Sequence, residues 1–128
     1  MDYVTDTHSI IWYFTDDPRL SQHALEAFEK TIQEGVIIIP SVVLAEIMYI
    51  AGKGKITLTF DQTLQRIDSY ENFIVAALDL DILKLADKIK AELEMHDKLI
   101  LATALYHNAS LITRDPLIRD SGVCPIVW

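Results

Sequence analysis

Cysteine and glycine are scarce in this 128-residue sequence, and several familiar loop motifs are missing. The single cysteine, Cys124, cannot form an internal disulfide, which excludes a disulfide-stabilised scaffold and favours a reducing, cytoplasmic setting. With only four glycines, the chain has no GxxxxGKS or GxxxxGKT loop, no GxGxxG loop and no GxSxG turn. The opening segment, MDYVTDTHS, has neither a basic region nor an apolar run, so no signal peptide is expected.

Positive charge is also in short supply. Eleven Lys and Arg stand against nineteen Asp and Glu, which gives a formal net charge of -8. This balance argues against a nucleic-acid binder that covers phosphates with basic side chains. It does not exclude an enzyme that meets phosphates through bound cations, because the charge of such an ion dominates its surroundings.

No uninterrupted hydrophobic run is long enough to cross a membrane. The longest apolar stretch, residues 36–52, contains Pro40 and Glu46 and falls short of a membrane span. Hydrophobic residues nevertheless make up 51% of the chain, and the mean hydropathy is +0.23. The composition therefore predicts a single soluble domain over residues 1–128 with a well-packed core.

Apolar patterning predicts strands that alternate with helices. Strands are expected at 3–5, 36–39, 73–77 and 110–113, with an edge strand at 125–128. Helices are expected at 8–14, 21–34, 41–51 and 60–69. A long helix with an apolar stripe is expected from Ile82 to Leu93, and a further helix from Asp97 onward. The run at 36–39 is continuously apolar, which is typical of a strand buried on both faces. We therefore predict an α/β fold, a three-layer α/β/α sandwich with a central, mainly parallel sheet of four to five strands.

Two acidic residues lie at or just after the ends of predicted strands. Asp6 comes after the first strand, and Asp115 lies two residues after Thr113 at the end of the fourth. Sites in open parallel sheets lie beyond the carboxyl ends of strands, which is where both carboxylates are expected. Structural roles are also open, since Asp6 can cap the next helix and Asp115 before Pro116 can start a turn.

Two further acids occupy unusual helical positions. The helical neighbours of Glu46 at three and four residues are largely apolar, and a carboxylate on such a face is costly to bury without a partner. A helix end open to water, or pairing with Lys53, is the structural alternative. Asp97 opens a helix that is apolar on nearly all sides, where we expect it to act as the N-cap.

Four converging carboxylates would repel one another unless a cation offsets their charge. Oxygen ligands suit a hard divalent ion such as Mg²⁺ or Mn²⁺. The histidines do not show the spacing of a zinc site, and we interpret them as surface or packing residues: His8, His23, His96 and His107.

Four segments, in this order, resemble the motifs of PIN-domain nucleases: YVTDTHSIIW, PSVVLAEIMY, HDKLILATAL and LITRDPLI. The likeness is greatest to the VapC-type toxins of toxin–antitoxin pairs and spans nearly the whole chain. The lead-in to the third acid departs from the pattern, since Glu94-Met95-His96 replaces the proline-containing segment often found in relatives.

The resemblance implies a set of site residues. Asp6, Glu46 and Asp97 match the first three acidic metal ligands of the family, and Asp115 and Thr113 match the acid and hydroxyl of its T-x-D element. Weaker matches or supporting candidates are Thr7, Ser41, Lys98 and Asp120. Candidates for guiding an RNA backbone are Lys53, Lys55, Lys98, Arg114 and Arg119, all of which could equally be solvated surface charges.

The resemblance also implies an activity and partners. The expected activity is hydrolysis of RNA phosphodiester bonds by a cytoplasmic endoribonuclease that depends on Mg²⁺ or Mn²⁺. The expected partners are an RNA substrate, a cognate antitoxin and a second copy of the chain. A groove for the antitoxin is expected near the apolar side chains of Ile10, Ile11, Trp12, Phe14, Phe60 and Leu64, unless these are ordinary core residues.

Three other functions remain open at this point. A receiver-like signalling module has a similar sheet and an acidic Mg²⁺ pocket, but the chain lacks its paired acids and its late lysine. A catalytically inactive binding module would keep the fold, although all four acids are present here. A PIN nuclease that matures RNA and is not a toxin would carry the same residues.

Overall fold

Five short strands and seven helices alternate along the chain. In the computed structural model, which describes residues 1–128, the strands are β1 Asp2–Thr5, β2 Val36–Pro40, β3 Phe73–Ala76, β4 Ser110–Ile112 and β5 Ile126–Val127. The helices are α1 Thr7–Phe14, α2 Gln22–Glu34, α3 Ser41–Gly52, α4 Phe60–Asp68, α5 Leu80–Asp87, α6 Met95–Tyr106 and α7 Pro116–Ser121. The predicted α/β class is confirmed, and the sheet, predicted with four to five strands, has five.

The sheet is wholly parallel, with strand order β3-β2-β1-β4-β5. The chain builds outward from β1 through β2 to β3, then returns to the other side of β1 with β4. The order therefore reverses between β1 and β4, where Thr5 pairs with Ile112. Side chains that follow these two strands lie at the crevice where ligands of open α/β sheets usually bind.

The central strands are buried on both faces. Val4, Ile37 and Ile39 have no exposed surface, and neighbouring residues of opposite orientation are buried as well. Helix α2 packs against β2 and β5, and α6 packs against β1 and β4 with α3 and α5 behind it. Helical layers on both faces explain why these strands lack the polar alternation of a half-exposed sheet.

A cluster of stacked aromatic rings lies between α1, α2 and β3. Tyr13 stacks on Phe28 with ring centroids 4.4 Å apart, and Tyr70 stacks on Phe73 at the same distance. Phe14 lies 6.0 Å from Phe73. We call these five rings the aromatic cluster; it fixes helix α1 against the sheet.

Three local features differ from the sequence expectations. Helix α5 ends at Asp87, although Ile89 is buried and Leu93 packs on the core, so an irregular backbone buries the end of the predicted stripe. Helix α6 begins at Met95, and Asp97 lies in its first turn; the N-cap prediction for Asp97 was wrong. Carboxylates are favoured throughout a first helical turn, so an acid there does not fix the first residue.

The third difference is helix α7, which the sequence analysis did not predict; it gave a turn starting at Asp115 as one alternative. Asp115 caps it by accepting a hydrogen bond from Leu117 N at 2.8 Å, and Pro116 occupies its first position. Gly122 ends it with φ +66°, in the left-handed region that glycine adopts without strain. None of the seven helices combines the length and the apolar character that a membrane crossing requires.

Candidate active site

A cavity of about 630 Å³ opens at the carboxyl ends of β1 and β4. Its lining includes Asp6, Glu46, Asp97 and Asp115, four carboxylates that are far apart in the sequence. Asp6 and Asp115 follow the strands, whereas Glu46 comes from α3 and Asp97 from the first turn of α6. The fold thus brings all four sequence-predicted acids to one place.

Thr113 connects two of these acids. Its hydroxyl donates to Asp6 Oδ2 at 2.6 Å and accepts a hydrogen bond from Asp115 N at 3.1 Å. The other oxygen of Asp6 accepts from Ser9 N at 2.9 Å, so Asp6 also caps helix α1. Thr113 is buried, and these bonds hold the Asp6 carboxylate in a single orientation.

Glu46 is held by Thr7. The buried Thr7 hydroxyl donates to Glu46 Oε1 at 2.9 Å, which joins α1 to α3 beside Asp6. Lys53, the alternative partner weighed from the sequence, lies instead over the Tyr49 ring at 4.5 Å. No ion pair joins it to Glu46, since the chain's one salt bridge is between Arg19 and Asp17.

Asp97 makes no side-chain hydrogen bond, and its environment opposes ionisation. Burial raises its pKa to about 6, and the negative charges of Asp115, Glu94, Glu46 and Asp6 contribute to the rise. Burial also raises the pKa of Asp6, opposed by the hydrogen bonds from Ser9 and Thr113. Negative charge therefore accumulates at the site, and no Lys or Arg forms an ion pair with any of the four acids.

The donor set suits a hard divalent cation. No three His, Cys, Asp or Glu side chains are grouped closely enough to enclose a metal ion by themselves. Mg²⁺ requires less than that, because it typically takes one or two carboxylates and completes its shell with water and substrate phosphate. Burial, together with repulsion from the neighbouring acids, raises the pKa of Asp97, and such an ion would offset that repulsion.

The structure adds lining residues that the sequence analysis did not select. Trp12, Arg19, Glu94 and Ile100 line the cavity, and so does His8, which the sequence analysis treated as a surface or packing residue. The DTHSIIW segment contained a signal for His8 and Trp12, since helical spacing places both on one face of α1 four residues apart. Arg19 lies in the loop between α1 and α2, and no local sequence pattern connects it with the acids.

Several weaker candidates lie elsewhere. Of the proposed RNA-guiding cations, Arg114 lines the acidic cavity and Lys55 an adjoining one, whereas Lys53, Lys98 and Arg119 line neither. Ser41 accepts a hydrogen bond from Leu78 N and does not reach the acids. Asp120 is exposed and also outside the cavity lining. In the expected antitoxin groove, Ile10, Ile11 and Phe14 are buried core residues.

Comparison with known families agrees with this arrangement. The model of the PIN domain family matches residues 3–121, and the chain belongs to that family. The match spans all four motifs and excludes the receiver-like alternative. No curated protein sequence matches the chain significantly.

Solved structures of VapBC complexes and VapC toxins share the fold. The chain is 19% identical to VapBC2 from Rickettsia felis, solved with a promoter DNA fragment, with a TM-score of 0.74 over 98% of this chain and 97% of that one. DNA-bound VapBC from Salmonella typhimurium matches at 19% identity and TM-score 0.72, covering 98% and 96%. Mycobacterium tuberculosis VapC20, a toxin that cleaves the sarcin-ricin loop, matches at 14% and 0.67, covering 94% and 95%.

Proposed function

We propose that this protein is a metal-dependent endoribonuclease in which Asp6, Glu46, Asp97 and Asp115 hold Mg²⁺ or Mn²⁺. The observation that carries the proposal is the meeting of these four carboxylates in one cavity at the point where strand order reverses. Partly buried carboxylates that repel one another are costly to keep, and a divalent cation is the ligand that relieves that cost. Family membership supports a nuclease.

Some side chains of the site bind the cation, and others orient the carboxylates that bind it. When bound, the divalent cation offsets charge on the scissile phosphate and acidifies water in the site. Asp6 and Asp115 keep their positions through Thr113, and Glu46 keeps its position through Thr7. Asp97 is free of hydrogen bonds within the chain, so its carboxylate can turn toward the ion without breaking one.

The proposed substrate and partner are RNA and an antitoxin, in a cytoplasmic toxin–antitoxin pair. Fold similarity to VapBC complexes, and to a VapC toxin that cleaves the sarcin-ricin loop, supports both. The net charge of -8 favours a partner with a cationic segment that can meet the acidic cavity. Coexpression with the product of a neighbouring small gene, followed by affinity purification, tests the pairing.

A homodimer is the assembly we propose. Strand β3 lies at the sheet edge and pairs only with β2, and its Ile74 and Val75 are exposed. Leu80 and Leu83 on the following helix are exposed as well, at 64% and 46%. An apolar edge of this kind is normally covered. Light scattering should give a dimer mass, and Leu80→Asp should shift it toward the monomer.

Cleavage of RNA under metal control tests the proposed activity. Purified protein should cut total cellular RNA with Mg²⁺ or Mn²⁺, lose that activity in EDTA, and regain it when the ion is restored. Glu46→Gln keeps a hydrogen-bond acceptor for Thr7 but removes the charge, and should be inactive. Glu26→Gln, an exposed change on α2, is the matched control and should cut normally.

Two results would argue against this function. Cleavage that continues in EDTA would show that the nuclease activity does not depend on a metal ion. A folded wild-type protein that cuts no RNA with either ion would favour an inactive binding module with the same fold.

A further inference from the structure

Positive charge at the acidic cavity is limited to two arginines. Of the eleven Lys and Arg in the chain, only Arg19 and Arg114 line the cavity, against five carboxylates. A polyanionic substrate that enters this cavity therefore has two cationic side chains available besides any bound metal ion. The two arginines stand out because the carboxylates in the rest of the lining attract cations and repel anions.

Trp12 holds both arginines in place. The guanidinium carbon of Arg19 lies 4.9 Å from the centre of the Trp12 ring, and that of Arg114 lies 5.6 Å from it. The indole is itself fixed, since it is 7% exposed and packs 6.0 Å from the Trp128 ring. A cation over an aromatic face is stabilised by the charge distribution of the ring. Trp12 thus anchors two charges that come from distant parts of the chain.

Arg19 is further oriented by Asp17. Its Nε and Nη2 donate to the two Asp17 oxygens at 3.0 and 2.7 Å, and these bonds lower the Asp17 pKa to about 2. The remaining N–H groups of the guanidinium are still available for an anion. Arg114 has no carboxylate partner at all, although it borders the same acid-rich cavity.

Arg19 and Trp12 also stand where two cavities meet. A second cavity of about 630 Å³ shares His8, Trp12 and Arg19 with the acidic one and continues to Lys55 and Thr57. A nucleic-acid strand needs space beyond the reacting phosphate for its neighbouring nucleotides. Because Arg19 lines both cavities, it lies where the acidic cavity opens into that continuation.

We propose that Arg19 and Arg114 bind the RNA phosphates next to the scissile one, and that Trp12 is the residue that positions both. This inference rests on the proposed ribonuclease function and names its strand-binding contacts. Guanidinium groups suit this task because their planar array of donors matches phosphate oxygens. A cationic segment of an antitoxin would pair with the five carboxylates of the cavity, so we assign the two arginines to RNA phosphates.

Binding measurements can test the arginines independently of cleavage. The probe is a fluorescein-labelled, single-stranded 20-nucleotide RNA of mixed sequence, with Mg²⁺ present and Asp97→Asn as a common background that prevents cutting. Arg19→Gln and Arg114→Gln should each weaken binding about fivefold to tenfold. Each should also lower the slope of log Kd against log salt by about 0.7, the contribution of one phosphate contact in a single strand.

Arg66 offers a matched control. It also lies over an aromatic ring, 4.8 Å from the centre of Phe14, but does not line the acidic cavity. Arg66→Gln should leave both the RNA affinity and the salt slope unchanged. Melting temperatures of all variants separate a lost contact from a loss of folding, since Arg66 also donates to Phe14 O at 3.0 Å.

Trp12 requires a test that distinguishes positioning from packing. In the cutting-competent protein, Trp12→Leu should raise KM severalfold with little change in kcat, and Trp12→Phe should restore KM because an arginine packs on phenylalanine in this fold. Arg19→Gln should add little to Trp12→Leu, because the two act through one contact.

Each outcome has a distinct meaning. Equal RNA affinity and equal salt slopes across wild type and the arginine variants would overturn the inference, even if the protein cuts RNA. Loss of antitoxin binding with RNA binding intact would assign the arginines to the protein partner and overturn it as well. Failure of wild type to cut RNA, with arginine-dependent RNA binding retained, would instead contradict the proposed activity.

Discussion

Helix α1 joins two regions that are built on opposite principles. On one side, Tyr13 and Phe14 enter the aromatic cluster, where five stacked or tilted rings are packed against the sheet. On the other side, Asp6 caps the helix and Trp12 faces a cavity lined by five carboxylates. The cluster gains stability from apolar burial, whereas the acidic cavity holds charges that repel one another.

The comparison of these two regions shows where a functional arrangement of side chains lowers the stability of the fold. Every buried polar side-chain atom in the chain has a hydrogen-bond partner, so the repulsion at the cavity is not a packing error. Thr7 and Thr113 hold Glu46 and Asp6 in place despite it. Negative charge concentrated in a fold whose buried polar groups are all hydrogen-bonded is typical of a ligand-binding site. Substitutions should therefore separate the two regions, one through stability and the other through activity.

The largest expected effect is on the stability of the aromatic cluster. Phe28 is completely buried and stacks on Tyr13. Phe28→Ala should lower the free energy of unfolding by about 3–5 kcal/mol, through lost burial and a residual cavity. Urea unfolding measures this, and Phe28→Leu gives a milder form if the alanine variant does not fold. Activity per folded molecule should not change; a selective loss of cleavage would show that the regions are not separable.

The next effect is on activity at the acidic cavity. Asp97→Asn should reduce RNA cleavage by more than about 100-fold, beyond the 10–100-fold typical of residues that only orient a metal ligand. Asp68→Asn, at the exposed end of α4, is the control and should cut normally. Initial rates at saturating Mn²⁺ are the measurement. An active Asp97→Asn variant would remove that carboxylate from the proposed site.

Two buried threonines allow the same comparison with effects of intermediate size on activity and stability. Thr113 bonds to Asp6, and Thr31, in α2 near the aromatic cluster, donates to Phe28 O at 2.7 Å. Thr113→Val should lower cleavage about 10–100-fold, since Asp6 loses its orienting donor. Thr31→Val should cost about 1 kcal/mol of stability and leave the rate unchanged. Equal effects on rate from both variants would count against a special role for Thr113.

The smallest effect is on stability as a function of pH. The Asp97 pKa is raised from 3.8 to about 6 in the fold, so the folded state binds the proton more tightly than the unfolded chain. The stabilisation from that proton is complete below about pH 4 and is lost as pH rises through 6. In EDTA, Asp97→Asn should therefore melt higher than wild type at pH 8, by about 4 °C after allowance for solvent screening.

That advantage should vanish near pH 4, where wild-type Asp97 is protonated. Scanning calorimetry at both pH values measures it. A variant that melts equally at pH 8, or lower than wild type, would show that the carboxylate is not under strain.

Much of the fold and the acidic set followed from local sequence signals. A run of β-branched residues predicted β2, and positions at or shortly after strand ends singled out Asp6 and Asp115. Glu46 was conspicuous because its helical neighbours are apolar. These signals work because strand burial and helix periodicity depend on residues close in sequence.

The remaining features depend on contacts that the sequence does not reveal locally. No glycine or proline ends α5 at Asp87, and the apolar period continues to Leu93, so no local sequence signal marks where this helix stops. Trp12 looks like a core residue by its apolar character, and it is buried, yet its ring supports two arginines at the cavity. Arg19 contacts the Trp12 ring from a loop, and no periodic sequence pattern predicts such a contact.

Binding of Mn²⁺ to the purified protein tests the central claim most directly. Electron paramagnetic resonance at neutral pH should show bound Mn²⁺ in wild type, with Mg²⁺ competing for it, and the bound fraction should fall sharply in Asp97→Asn but not in Asp68→Asn. Wild-type protein that leaves Mn²⁺ free in solution, or an Asp97→Asn variant that binds it as tightly, would contradict the claim that these carboxylates share a divalent ion.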